Sequence, residues 1–286
     1  MYEIIFLSIL AGIWIAFASI HDLKKRIVPN WVSFSLIIFA LGFRFFYSLF
    51  ELNSFMFFYQ GLIGLAIFYI LGNALYYGRM FAGGDAKLMM ALGTILPFTE
   101  DIRTNLEIFT LFLIVFLFTG AIYGIAWSIY LSLKHFKELS KEFNKQFNHN
   151  KRRIILFSII SIALMIYGFV FEQLFLYLGI LTFLFPYLYL YAKAIDNSCL
   201  VKNISTRNLE EGDWLFKDLK VGKNTIKSSW HGLNKKQIKA IQKKFKTIRI
   251  REGIPFVPVF FFSFSILIYI YFQNPELIEN LFRNLF

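Results

Sequence analysis

Apolar residues run along this chain in long stretches separated by short polar connections. Eight stretches reach or approach the length of a bilayer-crossing helix, at roughly 3–20, 31–50, 55–77, 86–98, 106–133, 154–171, 174–191 and 254–272. A hydrocarbon core about 30 Å thick needs about 20 such residues in a helix. The fourth stretch is short unless it borrows the loop before it, and the fifth is long enough to tilt or project. The pattern turns polar at Ala192 and apolar again at Gly253. Within that insert, Val201–Ser205 and Lys246–Arg251 read as strands. Asn234 can cap a helix over 235–245, where Ile238, Ile241 and Phe245 recur at helical spacing. The predicted fold is an all-α polytopic membrane protein of about eight transmembrane helices carrying a small α+β insert. Its parts are a transmembrane core (1–133), a polar connection (134–153) read as a helical extension of the fifth span, a helix pair (154–191), the insert (192–253), and a last span with its tail (254–286).

Composition agrees with the pattern. The 286 residues are 57% apolar and 17% charged, against about 45–50% and about 25% in soluble domains. A soluble enzyme and a disordered chain are both excluded. The net charge of +12 would suggest nucleic acid in a soluble protein, but its placement argues otherwise. The connections 21–30, 76–88, 134–153 and 192–253 hold 27 of the 30 Lys and Arg; only Arg44, Arg103 and Arg283 lie elsewhere. With eight spans these connections share one face, and the two faces carry +17 and −5. Basic connections remain in the cytoplasm, so the insert is expected there and both termini outside. The charge is a topology signal, and membrane lipid rather than nucleic acid is the expected surroundings. Ala16-Phe17-Ala18 imitates a signal-peptidase site, but the acidic start and the following Lys24, Lys25 and Arg26 predict a retained anchor. Gly120 and Gly124 match the close-packing GxxxG spacing.

Acidic residues near span ends on the basic face are costly to place and merit individual inspection. Asp22 closes the first span, followed by Lys24-Lys25-Arg26 and then Val28-Pro29-Asn30. Pro29 holds Val28 extended and Asn30 can cap the second helix. Asp85 stands in Ala82-Gly83-Gly84-Asp85-Ala86-Lys87 at the start of the fourth stretch. Both acids belong to the same face, so they can meet. Two carboxylates in contact cannot both ionise easily and share one proton. One then takes a proton from water while the other donates to a peptide carbonyl, without a metal or cofactor. The structural alternatives are an interfacial Asp22 balancing its basic neighbours and an Asp85 capping a helix after a Gly-Gly turn. His21 is a solvated neighbour or a bias on Asp22; Lys87 holds charge near the pair or reaches the interface. Asp213 reads as a turn residue, Pro255 as the first residue of the last helix, and Cys199 as inert.

These residues carry a resemblance. Asp22 with Val28-Pro29-Asn30 resembles the first aspartate motif of type IV prepilin peptidases, D-x5-I-P-N. Ala82-Gly83-Gly84-Asp85-Ala86-Lys87-Leu88 resembles their second, GxGD followed by Lys. Leu209–Leu215 and Arg251–Pro258 are similar to the C-terminal region of archaeal members, the preflagellin peptidases among them. The resemblance implies that Asp22 and Asp85 are catalytic, that Pro29, Asn30, Ala82, Gly83, Gly84 and Lys87 support them, and that no metal takes part. It implies an aspartic endopeptidase of the cell membrane that removes the short basic leader of pilin-like or archaellin-like precursors at the cytoplasmic face. Ala82 occupies the first position of GxGD, where a small side chain keeps backbone approach open provided φ is negative. The CxxC pairs of bacterial relatives are missing, so N-methylation is not carried over. The runner-up is a transporter using the same carboxylates; it would want them near the midplane, with internal repeats. A presenilin-like protease would add a Pro-Ala-Leu motif, which does not occur here.

Overall fold

The computed structural model describes residues 1–52, 54–222 and 224–274. The tail expected beyond Asn274, with Arg283, lies outside the described residues. Each apolar stretch contains a helix: α1 Tyr2–Lys25, α2 Asn30–Tyr47, α3 Met56–Tyr77, α4 Gly83–Gly93, α5 Ile102–Lys134, α6 Phe136–Val170, α7 Gln173–Ser198 and α9 Val257–Gln273. Six of them are long and apolar enough to cross a membrane; α4 and α9 are shorter. The protein is thus an all-α polytopic membrane protein with a small strand-containing insert. It divides into two compact units, Met1–Gly124 with Ile254–Phe286, and Ile125–Gly253.

In the first unit, α1 buries Ile4, Leu7, Ser8, Ala11, Ile15, Ala18, Ser19 and Asp22. That three-and-four spacing is one helix face, and Asp22 continues it. α3 buries Phe57, Gln60, Gly61, Gly64, Phe68 and Gly72 along a similar stripe. A Cβ on Gly72 would stand 2.9 Å from the carbonyl of Ala86, and Gly64 and Gly93 meet backbone to backbone. The missing side chains let α4 lie against α3 at main-chain distance.

The fourth stretch departs most from expectation. α4 has only 11 residues, about 16 Å of helix. The chain then continues non-helically through 94–101 with Thr94, Ile95, Leu96 and Phe98 buried. Irregular backbone at membrane depth must find partners for its carbonyls, and here Arg44 supplies them. Its side chain is 0% exposed. Nε donates to the Thr94 carbonyl at 2.8 Å and Nη1 to the Phe57 carbonyl at 3.0 Å. Nη2 donates to the Ile95 carbonyl at 3.1 Å and also to that of Pro97. The guanidinium lies 4.2 Å from the Phe57 ring centre. Gly61 makes room, since a Cβ there would approach Arg44 Cδ to 2.5 Å. Beyond this, Asn105 Nδ2 donates to Gln60 Oε1 and the Thr99 carbonyl, and Gln60 Nε2 to the Glu100 carbonyl.

In the second unit, the connection 134–153 is helical but belongs to the sixth span rather than the fifth. α5 ends at Lys134, His135 leaves the helical region (φ −120°, ψ 37°), and α6 runs unbroken from Phe136 to Val170. α6 and α7 form a hairpin in which Gly179 lies close to Met165 and Ser161. Of the GxxxG pair, a Cβ added at Gly120 would stand 3.2 Å from the Phe256 ring while one at Gly124 would meet open space, so the spacing does not mark a continuous packing groove.

The insert is a three-stranded antiparallel sheet in the order β1 (Val201–Ser205), β5 (Thr247–Arg251), β2 (Trp214–Leu215). A hairpin of β3 (Leu219–Val221) and β4 (Asn224–Ile226) and the helix α8 (Lys235–Gln242) complete it. Val201 pairs with Arg251 and Ser205 with Thr247. β5 alternates, turning Ile248 and Ile250 inward against Ile238 and Ile241 of α8. Asn234 accepts from the Gln237 N–H and Gln237 reciprocates, a capping box; the helix stops at Gln242, short of the expected Phe245. Cys199 is buried beside Ala194 and Ile195.

Asp213 is a turn residue. Its carboxylate accepts the Glu210 N–H at 2.8 Å, and its carbonyl accepts the Leu233 N–H at 2.9 Å. Burial pushes this carboxyl above its ordinary range, and the charges of Glu210 and Glu252 add to the effect against the Glu210 N–H. A carboxyl raised on folding stabilises the fold below its unfolded pKa and loses that contribution as pH rises through the folded value. Asp213→Asn keeps an acceptor for Glu210, so it should slow amide exchange at Leu233 at neutral pH. At a pH low enough to protonate Asp213, variant and parent should exchange alike. Faster exchange of the variant at neutral pH would contradict this account.

Candidate active site

The first motif is shaped by the end of α1. Arg26 adopts the left-handed conformation (φ 61°) and its N–H bonds to the Asp22 carbonyl, ending the helix. The chain then turns back, and His21 Nδ1 bonds to the Ile27 carbonyl at 2.7 Å. A carbonyl only accepts, so Nδ1 carries the proton. His21 closes the loop, beyond being a solvated neighbour of Asp22. Pro29, at φ −62° and ψ 135°, is itself the cap position of α2, not Asn30 as the sequence suggested. Proline fixes the extended geometry that precedes the helix, and Asn30 is left free for another partner.

That partner comes from the second motif. Lys87 Nζ donates to Asn30 Oδ1 at 2.7 Å, across 57 positions of sequence. One turn earlier, Gly84 sits against Val28: a Cβ there would lie 2.9 Å from Val28 Cβ. The close approach that Gly84 permits is therefore to the first motif's loop. Gly83 is less constrained, its nearest neighbour being Tyr76 at 3.8 Å. Ala82 caps α4 with φ −72° and ψ 163°, ordinary extended backbone that needs no glycine. Gly84→Ala should cost about 1–3 kcal/mol through overpacking and separate the two motifs, lowering any activity at least tenfold. Ala82→Gly should leave both stability and activity within about twofold. Thermal unfolding in detergent, with an activity assay, checks both.

The two acids differ in setting. Asp22 is 6% exposed, on the inward stripe of α1, which removes the reading of an interfacial charge. Its Oδ2 accepts the Val257 N–H, the first residue of α9, at 3.1 Å. Asp85 is partly buried and is the third residue of α4, its Oδ2 accepting the Ala82 N–H at 3.2 Å. It is the reciprocating acid of the first turn rather than the cap itself. Asp22 lies within electrostatic reach of Asp85. Each carboxylate faces the N-terminus of a helix, where unpaired N–H groups and the helix dipole favour negative charge. Phe81, Phe116, Phe256 and Phe260 hold these ends together: Phe81 is 6.0 Å from Phe256 and 5.9 Å from Phe116, and Phe116 is 4.7 Å from Phe260.

Two participants escaped the sequence reading. Val257 contributes only a backbone N–H, which no side-chain pattern announces. Pro258, not Pro255, lies in the first turn of α9, whose cap is Phe256. Tyr123 of α5 lies within electrostatic reach of Asp22 and Arg26, and its place inside an apolar run gave no signal of this.

The sequence model of the type IV leader peptidase family matches residues 9–128, the stretch holding both motifs. This stretch is similar to the type IV leader peptidase family. The preflagellin peptidase of Methanocaldococcus jannaschii is 33% identical over 89 residues, 31% of this chain and 37% of that protein. The prepilin peptidase EppA of Methanothermobacter thermautotrophicus is 33% identical over 98 residues, 34% of this chain and 24% of its own length. The matched stretches thus span little more than a third, and about a quarter, of these relatives. No solved structure matches the chain significantly. The family match ends at 128, yet the Asp22 carboxylate is held by residue 257.

Proposed function

We propose that the chain is a membrane-embedded aspartic endopeptidase that removes the short basic leader from pilin-like or archaellin-like precursors, with Asp22 and Asp85 as its catalytic pair. The observation that carries the reading is the docking of two sequence-distant aspartate motifs, through Val28 on Gly84 and Asn30 on Lys87, with the two acids electrostatically coupled. The names of the relatives support the substrate class.

In the reaction, the pair holds one proton. The ionised carboxylate takes a proton from water as the water oxygen attacks the scissile carbonyl carbon, and the protonated carboxyl donates to the carbonyl oxygen. The tetrahedral diol collapses with cleavage of the C–N bond. One carboxyl gives its proton to the leaving nitrogen while the other carboxylate takes a proton from a diol hydroxyl, so the pair ends holding one proton, as it began. By the positive-inside distribution of Lys and Arg, this chemistry lies at the cytoplasmic face, with the substrate's apolar segment in the bilayer.

Membranes containing the chain should shorten a co-expressed precursor pilin or archaellin by its leader. The new N-terminus, read by mass spectrometry, should begin at the mature apolar segment. A precursor of unchanged mass, with the chain inserted and folded, would overturn the proposal.

A further inference from the structure

The second unit carries charge that the proposed reaction does not use. In α6, Lys151, Arg152 and Arg153 stand exposed immediately before Ile154, where the helix turns apolar for the rest of its length. Among the described residues none of the three pairs with a carboxylate. The acids of this helix, Glu138 and Glu142, lie two or more turns earlier, and Glu142 is occupied by Lys145 at 3.4 Å. Asn148, His149, Asn150, Lys151, Arg152, Arg153 and Ile155 line an open concavity of about 540 Å³.

Three consecutive residues at about 100° each spread positive charge around most of the helix circumference. Arginine forks match phosphate oxygens in pairs, lysine adds a point charge, and the neighbouring amides and imidazole add further hydrogen-bonding groups. On the other side of this belt, Ile155, Leu156 and Phe157 are exposed, an apolar wall continuous with the span. A ligand that satisfies both halves has a phosphate at one end and hydrocarbon at the other. Free phosphate and nucleic acid satisfy only the first half, and a basic leader peptide is repelled.

We infer that the 148–155 segment of α6 is a binding belt for anionic phospholipid, with headgroup phosphates held around the helix by Lys151, Arg152 and Arg153 and the lipid chains lying along the apolar wall that begins at Ile155. The belt uses none of the residues of the proposed reaction, so it stands or falls independently of the peptidase reading.

The test uses the full chain in nanodiscs of phosphatidylcholine doped with phosphatidylglycerol, followed by detergent release and native mass spectrometry of the retained lipid. The chain should keep phosphatidylglycerol in preference to phosphatidylcholine. Lys151→Gln/Arg152→Gln/Arg153→Gln should weaken that retention on the order of a hundredfold, each basic residue near an anionic surface being worth roughly fivefold. The charge-preserving Lys151→Arg/Arg152→Lys/Arg153→Lys variant should retain the lipid within a few-fold, which separates lost binding from lost folding. Unchanged retention by the glutamine variant would overturn the assignment. So would displacement of the lipid by millimolar inorganic phosphate, or tighter binding of a single-stranded oligonucleotide than of phosphatidylglycerol.

Discussion

Asp22→Asn and Asp85→Asn should each abolish cleavage of a co-expressed precursor, lowering the rate at least about a thousandfold, within the range that acid–base groups contribute. Asparagine is the informative substitution because both side chains also hold structure. The amide introduced by Asp22→Asn still offers an oxygen to the Val257 N–H, and that of Asp85→Asn to the Ala82 N–H. The helix starts therefore stay capped while the shared proton is lost. Insertion, detergent-solubilised size and thermal unfolding should match the parent within measurement error. Substantial processing by either variant would remove the proposed pair from the mechanism. Failure of both to fold would show that the carboxylates serve the fold first. Alanine at the same positions should cost stability as well, since it leaves those N–H groups without their partner.

Arg44→Met should be the most destabilising single change in the first unit. It removes a 0%-exposed guanidinium that serves the carbonyls of Phe57, Thr94, Ile95 and Pro97. Methionine fills much of the space but donates nothing, so several buried carbonyls lose their donor, at a cost of about 3–5 kcal/mol. Arg44→Lys keeps the charge with three donors on a different geometry and should recover only part of this. The measurement is unfolding by heat or denaturant in detergent, with limited proteolysis between α4 and α5 as a local probe. A Met variant as stable as the parent would mean that the 94–97 segment finds other donors. The effect on cleavage should be secondary, because Arg44 holds the end of α4 opposite Asp85.

The helices were legible because bilayer length and apolar runs coincide, and each expected stretch contains one. α4 was harder. Its run of 86–98 is apolar but for Lys87 and Thr94, and Gly93 and Pro97 divide it into a short helix and a buried irregular segment. Arg44, 50 positions earlier, with Gln60 and Asn105, explains how that segment is accommodated. The break between α5 and α6 was misread because the whole region favours helix, and a single residue, His135, sets the boundary. Among site residues, Asp22 and Asp85 stood out because charge is costly near a membrane. Asn30 was assigned the cap that Pro29 occupies, since both residue types suit that end of a loop.

Sequence alone determined the membrane class, the number of apolar segments, the gathering of basic residues into four connections and the two aspartate motifs, because each is written in local composition and spacing. Tertiary structure decided what those motifs touch. Gly84 fits against Val28, Lys87 reaches Asn30, and Asp22 accepts an N–H from residue 257. Each of these contacts joins segments far apart in the chain, and one of them uses a backbone group identical in every residue but proline. Only the packing of α1, α4 and α9 around their aromatic core brings such groups within bonding distance.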